Sequence, residues 1–322
     1  MSAPLLDVRD LNVRFGPVHA VRNVSFSVDA GETVGVVGES GSGKSTTMLA
    51  VLGLHPKTQA DVTAECLRLG DLDLLTTSER AMRDIRGRKV GLIFQDPLAS
   101  LNPLYAAGYQ IGEVLRRHRG MDKQASAAEA IRLLDHVGVP DPARRAKQYP
   151  HQFSGGMRQR IMIAMALAGR PELLIADEPT TALDVTIQAE IVRLIRSLQA
   201  ETKMGLVWIT HDLALMARVA DRVIVMYAGA IVEEAPAAVL YRHPRHPYTI
   251  GLLGSIARLD QPRGQRARAI PGSPPAMDKP LIGCAFAERC PVRFEKCAEA
   301  PPLLPTPEGA KAACWHLSGG AL

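Results

Sequence analysis

Residues 34–46 read VGVVGESGSGKST. The leading VGVV is an uninterrupted apolar run suited to a buried strand, and from Gly38 to Thr46 the spacing is GxxxxGKST. The residues that follow, TMLAVLGL, are compatible with a helix. Strand, glycine-rich turn and helix form the setting in which this spacing cradles phosphate. Glycines remove side chains that would keep backbone N–H groups from an anion, and the helix turns its positive end toward the same place. Lys44 is placed to reach the β and γ phosphates, and the Ser45 hydroxyl to help hold Mg²⁺. Gly38, Ser40, Gly41, Ser42, Gly43 and Thr46 complete the candidate nucleotide-binding loop. The stretch therefore predicts an α/β fold around a phosphate site.

A phosphate loop needs an acidic partner. PELLIADEPT supplies it: Leu173 to Ala176 read as a buried strand, with Asp177 and Glu178 at its carboxyl end, where α/β sheets place ligands. Asp177 can support Mg²⁺ through its water shell, leaving Glu178 to orient and polarise an attacking water. Gln95 follows the apolar VGLIF and opens a proline-broken stretch, QDPLASLNP. His211 follows VWIT, and an imidazole there is suited to contact a γ-phosphate or the attacking water at neutral pH. In QFSGGMRQR, residues 152–160, Ser154 reads as a cap and Gly155 and Gly156 open an apolar-rich helix, giving a second anion-binding helix terminus.

Composition bounds the alternatives. The 322 residues allow one large α/β domain or about two ordinary ones, and 47 % hydrophobic content is ample for a packed core. A net charge of +5, from 38 basic and 33 acidic residues, is too diffuse to demand nucleic acid, and 4 % aromatics are few for stacking on bases. Charges arrive early in MSAPLLDVRDLNVRF, so no secretory signal is expected. The apolar run VIVMYAGAIV at 223–232 has ten residues where a spanning helix needs about twenty. From Ser255 onward, 68 residues hold ten of the 23 prolines and four of the five cysteines, which predicts an irregular appendage.

In this order the motifs resemble the nucleotide-binding subunit of an ATP-binding-cassette transporter over residues 5 to about 250: GESGSGKST, the Gln95 loop, FSGGM at 153–157, LLIADE at 173–178, ALD at 182–184 and His211. The resemblance implies a P-loop cassette over residues 1–254, with a helical subdomain inserted at about 97–165. It implies that Phe15 stacks on adenine, that Gln95 acts at the catalytic site and on Mg²⁺, and that a coupling helix from a membrane subunit docks nearby. It also implies that Ser154, Gly155 and Gly156 close over the ATP of a second subunit, that Asp184 organises the dimer interface, and that Glu178 and His211 are catalytic. Met157 departs from the usual polar signature residue, but Ser154 and Gly156 remain, so activity is expected to survive. Phe15 lacks the hydroxyl of the tyrosine often found at the adenine position.

The tail resembles that of oligopeptide and dipeptide importer ATPases: AAVLYRHPRHPYTIGLLGSI at 237–256, IPGSPP at 270–275, GCAFAERCP at 283–291, Cys297, PPL at 301–303 and CW at 314–315. Four thiolates at Cys284, Cys290, Cys297 and Cys314 suit zinc or an iron–sulfur cluster, and no close pair of the usual zinc spacing occurs. The resemblance favours a [4Fe-4S] cluster on these four residues; zinc and reduced structural thiols stand as alternatives, and a disulfide is disfavoured in a reducing compartment. Cys66 reads as a lone thiol.

The implied function is ATP hydrolysis powering dipeptide or oligopeptide import. The implied partners are a second ATPase subunit forming a heterodimer, two membrane permeases and an extracytoplasmic solute-binding protein, without nucleic acid. The implied place is the cytoplasmic face of a bacterial inner membrane, as a peripheral protein. Nickel, opine and glutathione importers share much of this pattern. A soluble cassette ATPase of DNA repair or translation is the rival class, disfavoured because only one set of motifs and no heptad array is present.

Overall fold

The computed structural model describes residues 3–181, 183–256 and 269–318. Two compact units divide the chain: Met1–Leu5, Val28–Glu32 and Thr76–Trp208 form one, and Leu6–Ser27, Thr33–Leu75 and Ile209–Leu322 the other.

The second of these is rich in strands. It opens with β1 (Leu6–Phe15), β2 (Val18–Val28), β3 (Thr33–Val37), the helix α1 (Lys44–Val51), β4 (Asp61–Thr63), β5 (Cys66–Leu69) and β6 (Leu72–Asp73). Neighbours run β2-β1-β5-β6, with β4 also on β1. In β1 the buried residues Leu6 and Val8 keep period two, then the pattern jumps to Leu11 and Val13. The cause is Asp10, whose φ of 50° inserts one residue and leaves β5 paired up to Arg9 and β4 from Asn12. β3 is buried along its whole length, as a strand covered on both faces must be.

The first unit carries α2 (Glu79–Arg88), β7 (Val90–Ile93), α3 (Pro97–Ser100), α4 (Ala107–Arg119), α5 (Lys123–His136), α6 (Pro142–Arg145), α7 (Gly155–Ala168), β8 (Leu173–Asp177), α8 (Val185–Thr202) and most of β9 (Gly205–Thr210). β7 pairs parallel with β8, Val90 opposite Leu173 and Ile93 opposite Ala176. In α5 the buried residues Ser126, Ala130 and Leu134 recur every four positions, and α4 offers Ala107, Ile111 and Leu115 at the same interval. Stripes of this spacing pack helix on helix.

The turn between α4 and α5 is pinned electrostatically. Glu129 accepts from Arg132 at 2.7 Å and from Arg119, the last residue of α4, at 2.9 Å. Mostly the Arg132 hydrogen bonds, with Arg119 adding to them, hold the Glu129 carboxyl down from 4.5 to about 2. A carboxyl depressed by folding adds stability above its unfolded value and loses it as pH falls through the folded one. The stability of this unit is therefore expected to drop between about pH 4.5 and pH 2. Glu129→Gln should flatten that limb when urea unfolding is followed against pH; an identical acid limb would remove the pair from the account.

The strand-rich unit resumes with α9 (Leu213–Val219), β10 (Arg222–Tyr227), β11 (Ala230–Pro236), α10 (Ala237–Arg242), α11 (Pro247–Gly254), β12 (Leu304–Pro305) and β13 (Lys311–Ala312). Here the order is β3-β10-β11-β13-β12, with β3 and β10 parallel and the rest antiparallel. The appendage is thus stitched onto the edge of β11 by Ala312 opposite Glu233. Its Phe286 packs against Tyr227 at 5.3 Å and Tyr248 at 5.4 Å between ring centres, and the Cys284 N–H donates to the Cys297 carbonyl at 3.0 Å.

These contacts organise the appendage, and they correct the metal expectation. Among the described residues no group of three or more His, Cys, Asp or Glu side chains is arranged to hold a metal ion, which overturns both the [4Fe-4S] assignment and the zinc alternative. All five cysteines are unpaired. Cys284, Cys290, Cys297 and Cys314 share a neighbourhood, since the other three all push the Cys284 thiol up further. Burial is nevertheless the largest cause of the raised thiols at Cys284, Cys290 and Cys314. Desolvation favours the neutral thiol, whereas the ligand form is the thiolate. Aromatic packing and strand pairing do the work that metal ligation was expected to do. Cys66 is half-buried with its Sγ 3.8 Å from Asp7 Oδ2, the isolated thiol expected.

Among the described residues no helix is long and apolar enough to cross a membrane. The run at 223–232 instead forms β10, the turn after it and the start of β11.

Candidate functional site

In the strand-rich unit the loop between β3 and α1 is shaped by its glycines. Gly38 has φ 152°, and a Cβ there would lie 2.2 Å from the Met226 carbonyl oxygen. Gly43, at the entry to α1, has φ 96° and faces the Ala20 carbonyl at 2.7 Å from where a Cβ would stand. Only glycine fits such approaches. The buried Lys44 ammonium donates to the carbonyls of Gly38 and Glu39, both at 2.9 Å, and contacts Ser42 Oγ at 3.5 Å. The loop thus curls around the cation, which holds its charge at the mouth of the helix. Ser42 is buried, while Ser40 and Gly41 are exposed and Ser45 and Thr46 half-buried. Phe15 ends β1 half-buried, edge-on to His55 at 5.2 Å, and His55 in turn contacts the Thr46 carbonyl at 2.9 Å. His211 stands exposed just beyond β9.

The other unit brings two of the expected residues into direct contact. Gln95, beyond the end of β7, donates through Nε2 to Glu178 Oε2 at 3.2 Å. Thr181 Oγ1 donates to the same oxygen at 2.8 Å. Asp177 closes β8, and Glu178 follows it with φ 45°, inside the left-handed region that a non-glycine residue enters at a cost. That conformation turns the chain sharply as β8 ends. One Glu178 oxygen accepts from two neutral donors, the Gln95 amide and the Thr181 hydroxyl, which orient the carboxylate. The arrangement suits a group that must hold and polarise water.

Ser154 caps α7, its Oγ accepting from the Met157 N–H at 3.4 Å, with Ser154 and Gly155 exposed at the helix start. Asp184 caps α8, accepting from the Ile187 N–H at 2.9 Å. Of the ALD stretch, Ala182 lies outside the described residues. Sequence reasoning missed Thr181, whose only signal was its place three residues after Glu178. It also missed Arg289, which ion-pairs with Glu39 of the phosphate loop at 2.7 Å from 250 positions away.

The ABC transporter family model matches residues 21–181, and the model for the oligopeptide/dipeptide transporter C-terminal region matches residues 232–297. The chain is 51 % identical to the dipeptide transport ATP-binding protein DppD of Bacillus subtilis, over 91 % of this chain and 88 % of that protein. It is 50 % identical to the Haemophilus influenzae DppD, covering 93 % and 92 %. Among solved structures, a dimeric ATP-binding cassette in a post-hydrolysis state bound to ADP and Pi is 31 % identical with a TM-score of 0.61, covering 72 % of this chain and 98 % of that one. The glycine-shaped loop before α1, the held Glu178 carboxylate and the Ser154-capped α7, together with these matches, place the chain in the ABC transporter family, among the ATP-binding subunits that carry the oligopeptide/dipeptide-transporter C-terminal region.

Proposed function

We propose that this ATPase powers import of dipeptides or oligopeptides through two membrane permeases supplied by an extracytoplasmic solute-binding protein. The observation that carries the reading is the match of residues 232–297 to the oligopeptide/dipeptide transporter C-terminal region, on a chain half identical to dipeptide-transport subunits. Residues 1–254 act as the cassette, about 97–165 as its helical insertion facing a coupling helix, and 255–322 as the importer-type tail. The working unit is a heterodimer of two such ATPases at the cytoplasmic face of the membrane.

In that working dimer the loop Gly38–Thr46 and Lys44 bind the phosphates, Phe15 stacks on adenine, Glu178 polarises the attacking water with Gln95 hydrogen-bonded to it, and His211 acts as a further catalytic residue. Ser154, Gly155 and Gly156 close over the partner's nucleotide, with Asp184 at the interface. Ser45, Asp177 and Gln95 each offer an oxygen, the ligand type of Mg²⁺, which keeps waters and substrate phosphates in its shell. When bound, that ion offsets phosphate charge.

The test is reconstitution with the permeases in proteoliposomes and measurement of ATP hydrolysis with the ligand-loaded solute-binding protein. Hydrolysis stimulated by a short peptide is expected. A response to nickel, an opine or glutathione with none to peptides would replace the substrate class.

A further inference from the structure

Arg289 lies in the cysteine segment of the tail, yet its side chain reaches the phosphate loop. It is only 7 % exposed, and its two terminal nitrogens grip Glu39 as a fork, Nη1 to Oε2 at 2.7 Å and Nη2 to Oε1 at 2.9 Å. The fork is itself fixed. Nε donates to the Pro271 carbonyl at 2.9 Å, Nη1 lies 3.3 Å from Tyr227 Oη, and Nη2 lies 3.4 Å from the Ile270 carbonyl. The guanidinium also sits over the rings of Tyr227 and Phe286, at 5.7 and 5.9 Å from their centres. Planar, bidentate pairing of this kind sets geometry as well as charge.

The other end of the pair matters as much. Glu39 is the second residue of GESGSGKST. Its N–H donates to Tyr248 Oη at 2.8 Å, and its carbonyl accepts from the Lys44 ammonium at 2.9 Å. Side chain, N–H and carbonyl of one loop residue are therefore all held, two of them by residues beyond 246 and one by the lysine of the loop. A carboxylate at this position without its cation would stand as negative charge beside a polyphosphate, in a partly desolvated place where repulsion is poorly screened.

We propose that Arg289 is a positioning residue for the nucleotide site: by clamping and neutralising Glu39 it lets the C-terminal region set the affinity of the phosphate loop for ATP. This rests on the assignment of Gly38–Thr46 as the ATP loop. It makes the tail part of the nucleotide machinery, with no contact between tail and ATP required.

The test is fluorescent ATP binding to the full-length chain, below the melting transition of every variant. Arg289→Gln should weaken ATP binding about tenfold by leaving Glu39 charged and unpaired. Adding Glu39→Gln to it should restore most of the lost affinity, since the stray charge is then gone. A purely structural role for Arg289 would show a lower melting temperature with parental affinity, or a loss that Glu39→Gln leaves unrepaired; either overturns the proposal. Arg289→Lys keeps the charge but loses the fork, and about a threefold loss is expected from it. Should Arg289→Gln not fold, parental affinity in Arg289→Lys overturns the proposal. Lys44→Ala in the same assay separates the two levels: if it too binds as the parent, the ATP-loop assignment falls and the clamp with it, whereas its loss alongside parental affinity in the Arg289 variants removes only the clamp.

Discussion

Glu178→Gln is expected to lower steady-state phosphate release about 10²–10⁴-fold at its own site while nucleotide binding persists. The amide keeps the shape of the side chain and can still accept from Gln95 Nε2 and Thr181 Oγ1, which now hold the carboxylate at 3.2 and 2.8 Å. What it loses is the negative charge that polarises water in the proposed site. ATP should therefore bind, draw two subunits together and remain uncleaved, so a long-lived closed dimer should accumulate. Phosphate release and dimer lifetime are to be measured in the assembled complex, with the second ATPase subunit inactivated so that its site does not mask the effect. Near-normal hydrolysis would end the role given to Glu178.

Lys44→Ala should act on the other half of the cycle. The ammonium donates to the Gly38 and Glu39 carbonyls and is buried, so its removal frees those carbonyls and, in the proposed site, takes away a charge-assisted bond to phosphate. Hydrogen bonds to charged groups are worth about 1.5–3 kcal/mol, which corresponds to a loss of ATP affinity of about 10–150-fold. Adenosine should bind the variant nearly as it binds the parent, since Phe15 and not Lys44 faces the base in the proposed site. Titration with fluorescent ATP and with adenosine distinguishes the two; equal losses for both would mean that the loop had collapsed generally.

Elements with strong local signals were legible in the sequence. VGVV became the fully buried β3, LLIA the core of β8 and SGGM the capped start of α7, because continuous apolar runs and a serine before two glycines restrict the backbone on their own. The tail misled for the opposite reason. Four crowded thiols and the family resemblance made Cys284, Cys290, Cys297 and Cys314 read as a ligand set, whereas metal binding depends on where side chains converge in space, and no metal-holding group forms among the described residues. Nothing local to Ala312 announces that it pairs with Glu233, nor does Phe286 announce that it packs on both Tyr227 and Tyr248.

By itself the sequence determined the strand–glycine turn–helix run at 34–51, the strand that ends in Asp177 and, through the order of its motifs, the family, since each motif is a run of residues whose backbone preferences act within a few positions. Only the tertiary structure decided what the loop touches. The Glu178 carboxylate finds Gln95 from 83 positions away, and Glu39 finds Arg289 from 250. Such pairs are chosen by packing. Once apolar surfaces have fixed where β7, β8 and the tail run, a half-buried carboxylate must be satisfied by whichever donor the fold has brought beside it.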